Sequence, residues 1–278
     1  MELLNLTTSN SVRPSRAEPF IKWAGGKQAL LAQILPLFPS DFECYYEPFV
    51  GGGSVFFALN HSRAFVNDEN GWLIDTYQAL RDNFKAVARE LDKLPNTKED
   101  FLRVREVDPS SLSVEKRAAS FIFLNKTCFR GLFRVNKKGQ FNVPYGEYQR
   151  RYYSIENLAA VSKALKQVKF STGDFEDCLV DVTRNDFVYF DPPYYKVGGF
   201  SDFNRYTAGQ FREPQHLRLA SLCNELDDKG VRWAVSNSDT PFIREIFKGY
   251  RLETIHARRE INLNSQNRDI KELLVLNY

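Results

Sequence analysis

The run Val188-Tyr189-Phe190-Asp191-Pro192-Pro193-Tyr194 places a carboxylate, a rigid turn and an aromatic ring at the end of an apolar strand. Asp191 and the carbonyl of Pro192 can accept the two hydrogens of an amine, which leaves the nitrogen lone pair free to face an electrophilic carbon. Proline locks φ and brings no competing N–H, so Pro192 and Pro193 fix that backbone acceptor. Tyr194 can stack on a planar base that carries the amine. An aromatic amine is a poor nucleophile, so holding it in line with an activated methyl group carries much of the catalysis. Neither a metal nor a covalent nucleophile is required. The blander alternative is a surface turn after a strand.

Two glycine segments lie upstream. Tyr45-Tyr46-Glu47-Pro48-Phe49-Val50-Gly51-Gly52-Gly53-Ser54 reads as a strand, a loop and a helix start, with glycines that let backbone approach a ligand. About twenty residues beyond comes Asp68, at the end of Phe65-Val66-Asn67-Asp68, where such folds hydrogen-bond a ribose hydroxyl. A nucleoside cofactor follows, and the same geometry would serve NAD, although the pattern is not G-x-G-x-x-G. The other segment, Phe20-Ile21-Lys22-Trp23-Ala24-Gly25-Gly26-Lys27, is followed by Gln28 and has no glycine at the spacing of a phosphate loop, so a nucleotide triphosphatase is rejected. What remains is an amine and backbone amides suited to a carboxylate, such as that on the methionine part of S-adenosylmethionine.

These groups need a scaffold. The 278 residues, 43% hydrophobic, suffice for one α/β domain with room for a smaller module. No apolar run approaches the length of a membrane span, and Met1 to Glu18 read as a flexible lead without the apolar stretch of a signal peptide. Cys44, Cys128, Cys178 and Cys223 are scattered, and with only His61, His216 and His256 beside them no zinc site or disulfide framework is implied. They read as small core residues in a reducing cytoplasm.

Short apolar runs at Glu43–Glu47, Ala64–Asn67, Val168–Ser171, Phe187–Phe190, Val231–Ser236 and Leu273–Leu276 read as strands. A three-four spacing through Ile74, Tyr77, Leu80, Phe84, Val87, Leu91 and Leu94 predicts a helix, and another runs from Pro214 to Lys229 with Gly230 as its stop. The alternation predicts a largely parallel, doubly wound sheet with its ligands at the carboxyl ends of the strands. Lys98 to Tyr153 does not fit it. Between Lys98 and Arg151 there are twelve Lys or Arg against six Asp or Glu, a net +6 in a chain of net +3, so the remainder carries −3. Phe129, Phe133, Phe141, Tyr145, Tyr148, Tyr152 and Tyr153 interleave with those charges, which suits phosphate contacts beside base contacts as well as it suits a solvated helical face.

In the order of these parts the chain resembles the DNA adenine-N6 methyltransferases of the Dam and DpnM type. The likeness runs from about Phe20 to Tyr278, through W-A-G-G-K, E-P-F-V-G-G-G-S, N-K-T-C-F-R-G-L-F-R-V-N, F-N-V-P-Y-G, G-D-F, F-D-P-P-Y and K-E-L-L-V-L-N-Y. It implies a Rossmann-like S-adenosylmethionine-binding domain over residues 19–97 and 154–278. Residues 98–153 would form a smaller, mainly helical DNA-recognition insert containing a β-hairpin. Trp23, Ala24, Gly26 and Lys27, with Glu47, Gly51 and Gly53, would border the methionine end of the cofactor. Asp68 would hold its ribose, and Asp174 and Phe175 its adenine. Asp191, Pro192, Pro193 and Tyr194 would hold a target adenine extruded from double-stranded DNA. Lys22, Leu132 and Arg134 match base readers, Arg134 facing guanine and Leu132 a thymine methyl. Phe129 would be the wedge beside the vacated base, and the blander role of both Phe129 and Leu132 is hairpin core. Arg130, Asn136, Lys137, Lys138 and Tyr148 complete the expected DNA-binding set.

The implied target is GATC, with S-adenosylhomocysteine as the second product and the cytoplasmic nucleoid as the place of action. Two positions depart from the GATC pattern: Arg130 stands where asparagine is usual and Glu147 where a basic residue is common. Another short adenine-containing site stays open. RNA bases, cytosine N4 and protein glutamine are rival amine substrates that the loop alone does not separate. A regulator that binds the cofactor without turnover is a further rival, and the intact Asp191–Tyr194 loop opposes it. A restriction endonuclease sharing the site, without a stable complex, is compatible with the sequence.

Overall fold

The computed structural model describes residues 16–136, 139–195, 211–258 and 269–278. Seven strands form one sheet: β1 (Tyr45–Glu47), β2 (Ala64–Asp68), β3 (Val168–Thr172), β4 (Phe187–Phe190), β5 (Arg232–Ser238), β6 (Arg251–Arg258) and β7 (Asp269–Leu276). Their spatial order is β3-β2-β1-β4-β5-β7-β6. The pairs are parallel except for those made by β7, which runs against both of its neighbours. The eight α-helices among the described residues are α1 (Leu31–Ile34), α2 (Ser54–Leu59), α3 (Gly71–Leu91), α4 (Lys98–Glu106), α5 (Val114–Thr127), α6 (Ile155–Ala164), α7 (Glu213–Asp228) and α8 (Pro241–Ile246).

Successive residues of a strand point to opposite faces, and here both faces are apolar. Tyr45, Phe187, Tyr189, Ala234 and Leu274 belong to one core, which holds the buried sides of α2, α3, α5 and α6. Tyr46, Val188, Phe190, Trp233, Val235 and Leu273 belong to the other, under α7 and α8. The doubly wound sheet expected from the sequence is therefore present. β6 was not expected. It sits at the sheet edge, paired on one side only, so it needs no continuous apolar run to be stable there.

The helix ends follow local chemistry. Asn70 caps α3 by accepting the Leu73 N–H at 3.2 Å, Thr97 caps α4 through Asp100 N, and Ser113 caps α5 through Lys116 N. The α3 stripe bends at Asn83, whose side chain accepts from Ala86 N and restarts the helix. Pro214 lies in the first turn of α7, and Gly230 follows that helix with φ of +71°. Ala17 is buried and Glu18 exchanges two hydrogen bonds with Asn157, so the chain is tied down before the expected end of the lead.

Between Lys98 and Tyr153 the chain forms α4, α5 and then two antiparallel bridges, Cys128 with Tyr145 and Val135 with Phe141. This segment shares a core with the sheet. Phe121 of α5 packs 5.2 Å from Trp72 of α3 and 5.1 Å from Phe133, and Trp23 stacks 5.8 Å from Phe133. No helix among the described residues is long and apolar enough to cross a membrane. The four cysteines are free, with Cys128, Cys178 and Cys223 buried and Cys44 half-buried.

Candidate active site

The chain winds outward through β1, β2 and β3, then returns to β4 on the other side of β1. Crossovers therefore leave the gap between β1 and β4 uncovered at the carboxyl edge, the general position for ligands in such sheets. Here the structure opens a cavity of about 780 Å³. It is lined by the segments following β1, β2, β3 and β4, together with Trp23 to Lys27. One loop from each strand end converges on it.

At the β4 end, Asp191 and Lys27 form an ion pair of 2.8 Å. Lys27 is 3% exposed, also donates to the Gly25 carbonyl at 2.7 Å, and lies 4.7 Å from the centre of the Tyr194 ring. Burial pushes the Asp191 carboxyl up to about 6, against the pull of the Lys27 ammonium. Pro192 is buried, and Pro193 and Tyr194 are half-buried. The Tyr194 hydroxyl donates to Glu272 on β7 at 2.7 Å. Lys27, expected at a cofactor carboxylate, thus sits within reach of both the Asp191 carboxylate and the Tyr194 ring.

Glu47 ends β1 with its Oε2 accepting the Tyr45 hydroxyl at 2.8 Å, and burial drives its carboxyl well above the ordinary range. Gly51 has φ of +46°, and a Cβ there would stand 2.6 Å from the Trp23 ring, so only glycine lets the indole lie flat on this loop. Gly53, at φ of +69°, lies close under the Tyr77 hydroxyl, which itself donates to the Gly51 carbonyl at 3.0 Å. Gly26 closes a turn onto the Trp23 carbonyl at 3.1 Å, with Ala24 between them on the cavity wall. Asp68 accepts from Gly51 N at 3.0 Å and from Asn70 N at 2.9 Å, and burial raises it to about 6. Two carboxylate oxygens offer about four lone-pair positions, so acceptors remain for a diol.

Beyond β3, Phe175 stacks on Phe49 at 5.3 Å. The Arg218 guanidinium lies 4.4 Å over the Phe175 ring and pairs with Asp174 and Glu176. Arg218 carries no sequence motif, yet it takes up part of the carboxylate expected to meet an adenine. Asn67 is a second unheralded residue. Its Nδ2 donates to the carbonyls of Pro48 and Gly173, both at 3.1 Å, and so ties the β1 and β3 loops together.

Of the expected DNA-binding residues, Lys22, Arg130 and Leu132 line a second cavity of about 470 Å³, together with Lys126. Lys22 lies 5.2 Å from the Tyr148 ring, and the Tyr148 hydroxyl accepts the Arg130 N–H at 3.0 Å. Arg130 has φ of +58° and covers the Phe129 ring at 5.1 Å. Phe129 is 45% exposed, so it is not hairpin core. Leu132 packs partly buried against the main core. Arg134 is exposed and held by Asn142, its Nε donating to Oδ1 at 2.7 Å. Asn136 turns the chain, its N–H donating to the Gln140 carbonyl at 2.8 Å. Lys137 and Lys138 lie outside the described residues. Lys126, not anticipated, is largely buried, and burial together with Lys22 and Arg150 pulls its ammonium down. Asn125 links the two regions: its Oδ1 accepts Lys22 N at 2.8 Å, and its Nδ2 donates to the carbonyls of Lys22 and Gly131.

Residues 23–261 match the family of D12 class N6 adenine-specific DNA methyltransferases. The chain belongs to that family. A type II methyltransferase, M.MjaIII of Methanocaldococcus jannaschii, is 38% identical over 286 residues, covering 94% of this chain and 99% of the relative. Another, M1.LlaDCHI of Lactococcus lactis subsp. cremoris, is 36% identical over 285 residues and covers 99% of both chains. The DNA adenine methylase of Escherichia coli K12 is 34% identical over 263 residues, covering 92% of this chain and 94% of the relative. This adenine-specific DNA methyltransferase therefore has DNA as its substrate and needs a methyl donor. Among its described residues no group of three or more His, Cys, Asp or Glu could hold a metal ion.

Proposed function

We propose that this methyltransferase takes its methyl group from S-adenosylmethionine and delivers it to N6 of an adenine flipped out of double-stranded DNA, within GATC. The observation that carries the reading is the meeting of Asp191 and Tyr194 with Lys27 at one end of a cavity whose other walls hold Asp68 and Phe175. Among the described residues lining that cavity six are acidic and two basic, a balance that favours a cationic sulfonium cofactor. In this reading Asp68 holds the ribose diol and Phe175, with Phe49 and Arg218, borders the adenine. Trp23, Ala24, Gly26, Glu47, Gly51 and Gly53 enclose the methionine end, where Lys27 is within reach of a carboxylate. When bound, the cofactor supplies an activated methyl group.

The protein's part is positioning. Asp191 and the Pro192 carbonyl accept the two amine hydrogens, Tyr194 stacks on the base, and Pro193 keeps the turn rigid. Asp191 accepts most strongly when ionised, and Lys27 favours that form. Extrusion of the base costs a few kcal/mol of unstacking, offset by contacts in the pocket and by a side chain in the vacated space. Phe129 and Arg130, exposed beside Lys22 and Tyr148, suit that second task. Lys126, Lys137 and Lys138 supply phosphate contacts, with Asn136 next to the two latter in sequence.

Arg134 and Leu132 read guanine and thymine, with Lys22 at the first base. Replacing Arg134 by alanine is expected to relax the choice of sequence by roughly 1–3 kcal/mol at one position, whereas reversing the charge of Lys137 and Lys138 weakens all sequences alike. Equal weakening of every sequence by Arg134→Ala would remove the base-reading role. A second reading of the site, another short adenine-containing sequence, is favoured by Arg130, whose guanidinium sits over Phe129 on the same face. Transfer of tritiated methyl from S-adenosylmethionine to unmethylated plasmid, mapped by single-molecule sequencing with Asp191→Ala as control, decides. Modification confined to GATC supports the first reading, modification of another adenine motif the second, and no transfer by folded, cofactor-binding protein overturns both. A restriction endonuclease acting on the same site in the same cytoplasm fits the type II names of two relatives.

A further inference from the structure

The register of β5 against β7 sets Ser238 opposite Glu272 and Asn237 opposite Leu273. From this corner of the sheet three side chains reach back to the segment leaving β4. Glu272 accepts the Tyr194 hydroxyl hydrogen at 2.7 Å. Asn237 Oδ1 accepts the Tyr195 N–H at 3.0 Å, and Ser238 Oγ donates to the Tyr195 carbonyl at 2.6 Å. The far end of the Tyr194 ring and both peptide groups of the next residue are thus held by two adjacent strands.

The holders are themselves held. Asn237 is fully buried, its Oδ1 also accepts the Ser238 N–H at 2.9 Å, and its Nδ2 lies 3.4 Å from His216 Nδ1. His216 is buried among Tyr195, Phe211 and Phe242, and that burial lowers it to about 4, which keeps the ring neutral and able to accept from the amide. Loops at strand ends are ordinarily the mobile part of a fold. Methyl transfer from an in-line geometry tolerates little error, since an error of about 1 Å costs about a hundredfold in rate. A loop carrying both the amine acceptors and the stacking ring therefore needs fixing from the side opposite its substrate. β7 provides this because it runs against β5, which brings its start, where Glu272 lies, to the carboxyl end of β5.

We propose that Glu272, Asn237 and Ser238 are positioning residues for methyl transfer, a brace that sets the Tyr194 ring and the Pro192–Tyr195 backbone. The inference rests on the reading of Asp191 to Tyr194 as the amine-holding loop. Single-turnover transfer to unmethylated GATC-containing plasmid, with both substrates saturating, is measured for the wild type, Glu272→Ala, Glu272→Gln and Ser238→Ala. Glu272→Ala and Ser238→Ala are expected to lose roughly ten- to a hundredfold in rate, while for Ser238→Ala the dissociation constants for plasmid and S-adenosylmethionine stay unchanged. Glu272→Gln, which keeps an acceptor carbonyl, recovers most of the rate. Tyr194→Phe made on top of Glu272→Ala adds no further loss beyond that of Tyr194→Phe alone, because both act on one hydrogen bond.

A folded Glu272→Ala protein with the wild-type rate, a loss that tracks weakened DNA binding, or full additivity with Tyr194→Phe overturns the brace. Thermal melting reports folding, and Ser238→Ala, which removes a single hydroxyl, carries the test if Glu272→Ala does not fold. Failure of the donor or target reading would show in the wild-type protein, whereas failure of the brace shows only in the variants.

Discussion

Asp191 has two properties that pull against each other. Burial at the mouth of β4 raises its carboxyl to about 6, while the proposed acceptance of an amine hydrogen is strongest in the ionised form. At pH 7.5 the group is charged, and as the pH falls through about 6 it takes up a proton, becomes a weaker acceptor and releases Lys27. The rate of transfer is expected to drop by about tenfold per unit on the acid side of that value. In Lys27→Met the ammonium that holds the carboxyl down is gone, so the acid limb moves to higher pH. A pH profile of single-turnover rate checks both, and a limb unmoved by Lys27→Met would mean that another group titrates there. Asp68 is raised to about 6 for the same reason, although its two backbone donors tie it to the β1 loop rather than to an ammonium.

Among the elements, the two glycine segments at the cavity are constrained differently. Gly25 and Gly51 both have positive φ, at +80° and +46°, but only the Cβ of an alanine at Gly51 would collide with a neighbour, at 2.6 Å from Trp23. Gly25→Ala should cost only the strain of the left-handed region, about 1–2 kcal/mol. Gly51→Ala adds displacement of the indole and is expected to weaken S-adenosylmethionine binding as well, whereas Gly25→Ala leaves the indole in place. Calorimetric titration and thermal melting of the pair separate the two effects. On α5, Phe121 is 1% exposed and packs against Trp72 and Phe133. Phe121→Ala is expected to lose about 3–5 kcal/mol, read as a lower denaturant midpoint at unchanged slope.

Across the whole molecule, α5 is the joint between the recognition segment and the sheet. It lies beside α3 in the same core as β1, β2 and β4, and its Asn125 holds the backbone of Lys22 and Gly131 together. A peptide of residues 98–153 would leave the apolar side of α5 without Trp23, Trp72 and the rest of α3. That peptide is expected to lack cooperative unfolding and to show little helix by circular dichroism. A stable, cooperatively folding fragment would establish residues 98–153 as an independent domain. Under the proposed base-reading roles, the same joint would make Lys22 and the Phe129–Arg134 loop one rigid unit, so substitutions at Asn125 should alter sequence choice without touching a base.

Local patterns in the sequence determined much of this protein. Six of the seven strands, α3 and α7 were legible because burial on a strand or a helix face repeats with the period of the backbone, and a period is a local property. Trp23, Ala24, Gly26, Lys27, Glu47, Gly51, Gly53, Asp68 and Asp191 to Tyr194, together with Asp174 and Phe175 that the resemblance singles out, all fall on the one cavity, since their motifs sit in the segments that line it. Only tertiary structure decided the partners. Nothing local in Lys-Glu-Leu-Leu says that Glu272 meets Tyr194, a contact created by β7 entering between β5 and β6. Arg218 on Phe175, Asn67 on Gly173 and Asn125 under Lys22 are likewise contacts between residues distant in the chain. β6 escaped because an edge strand paired on one side can be stable without a continuous apolar run. Periodicity records which side of an element is buried. Which groups meet across the molecule is fixed only when distant elements share one core.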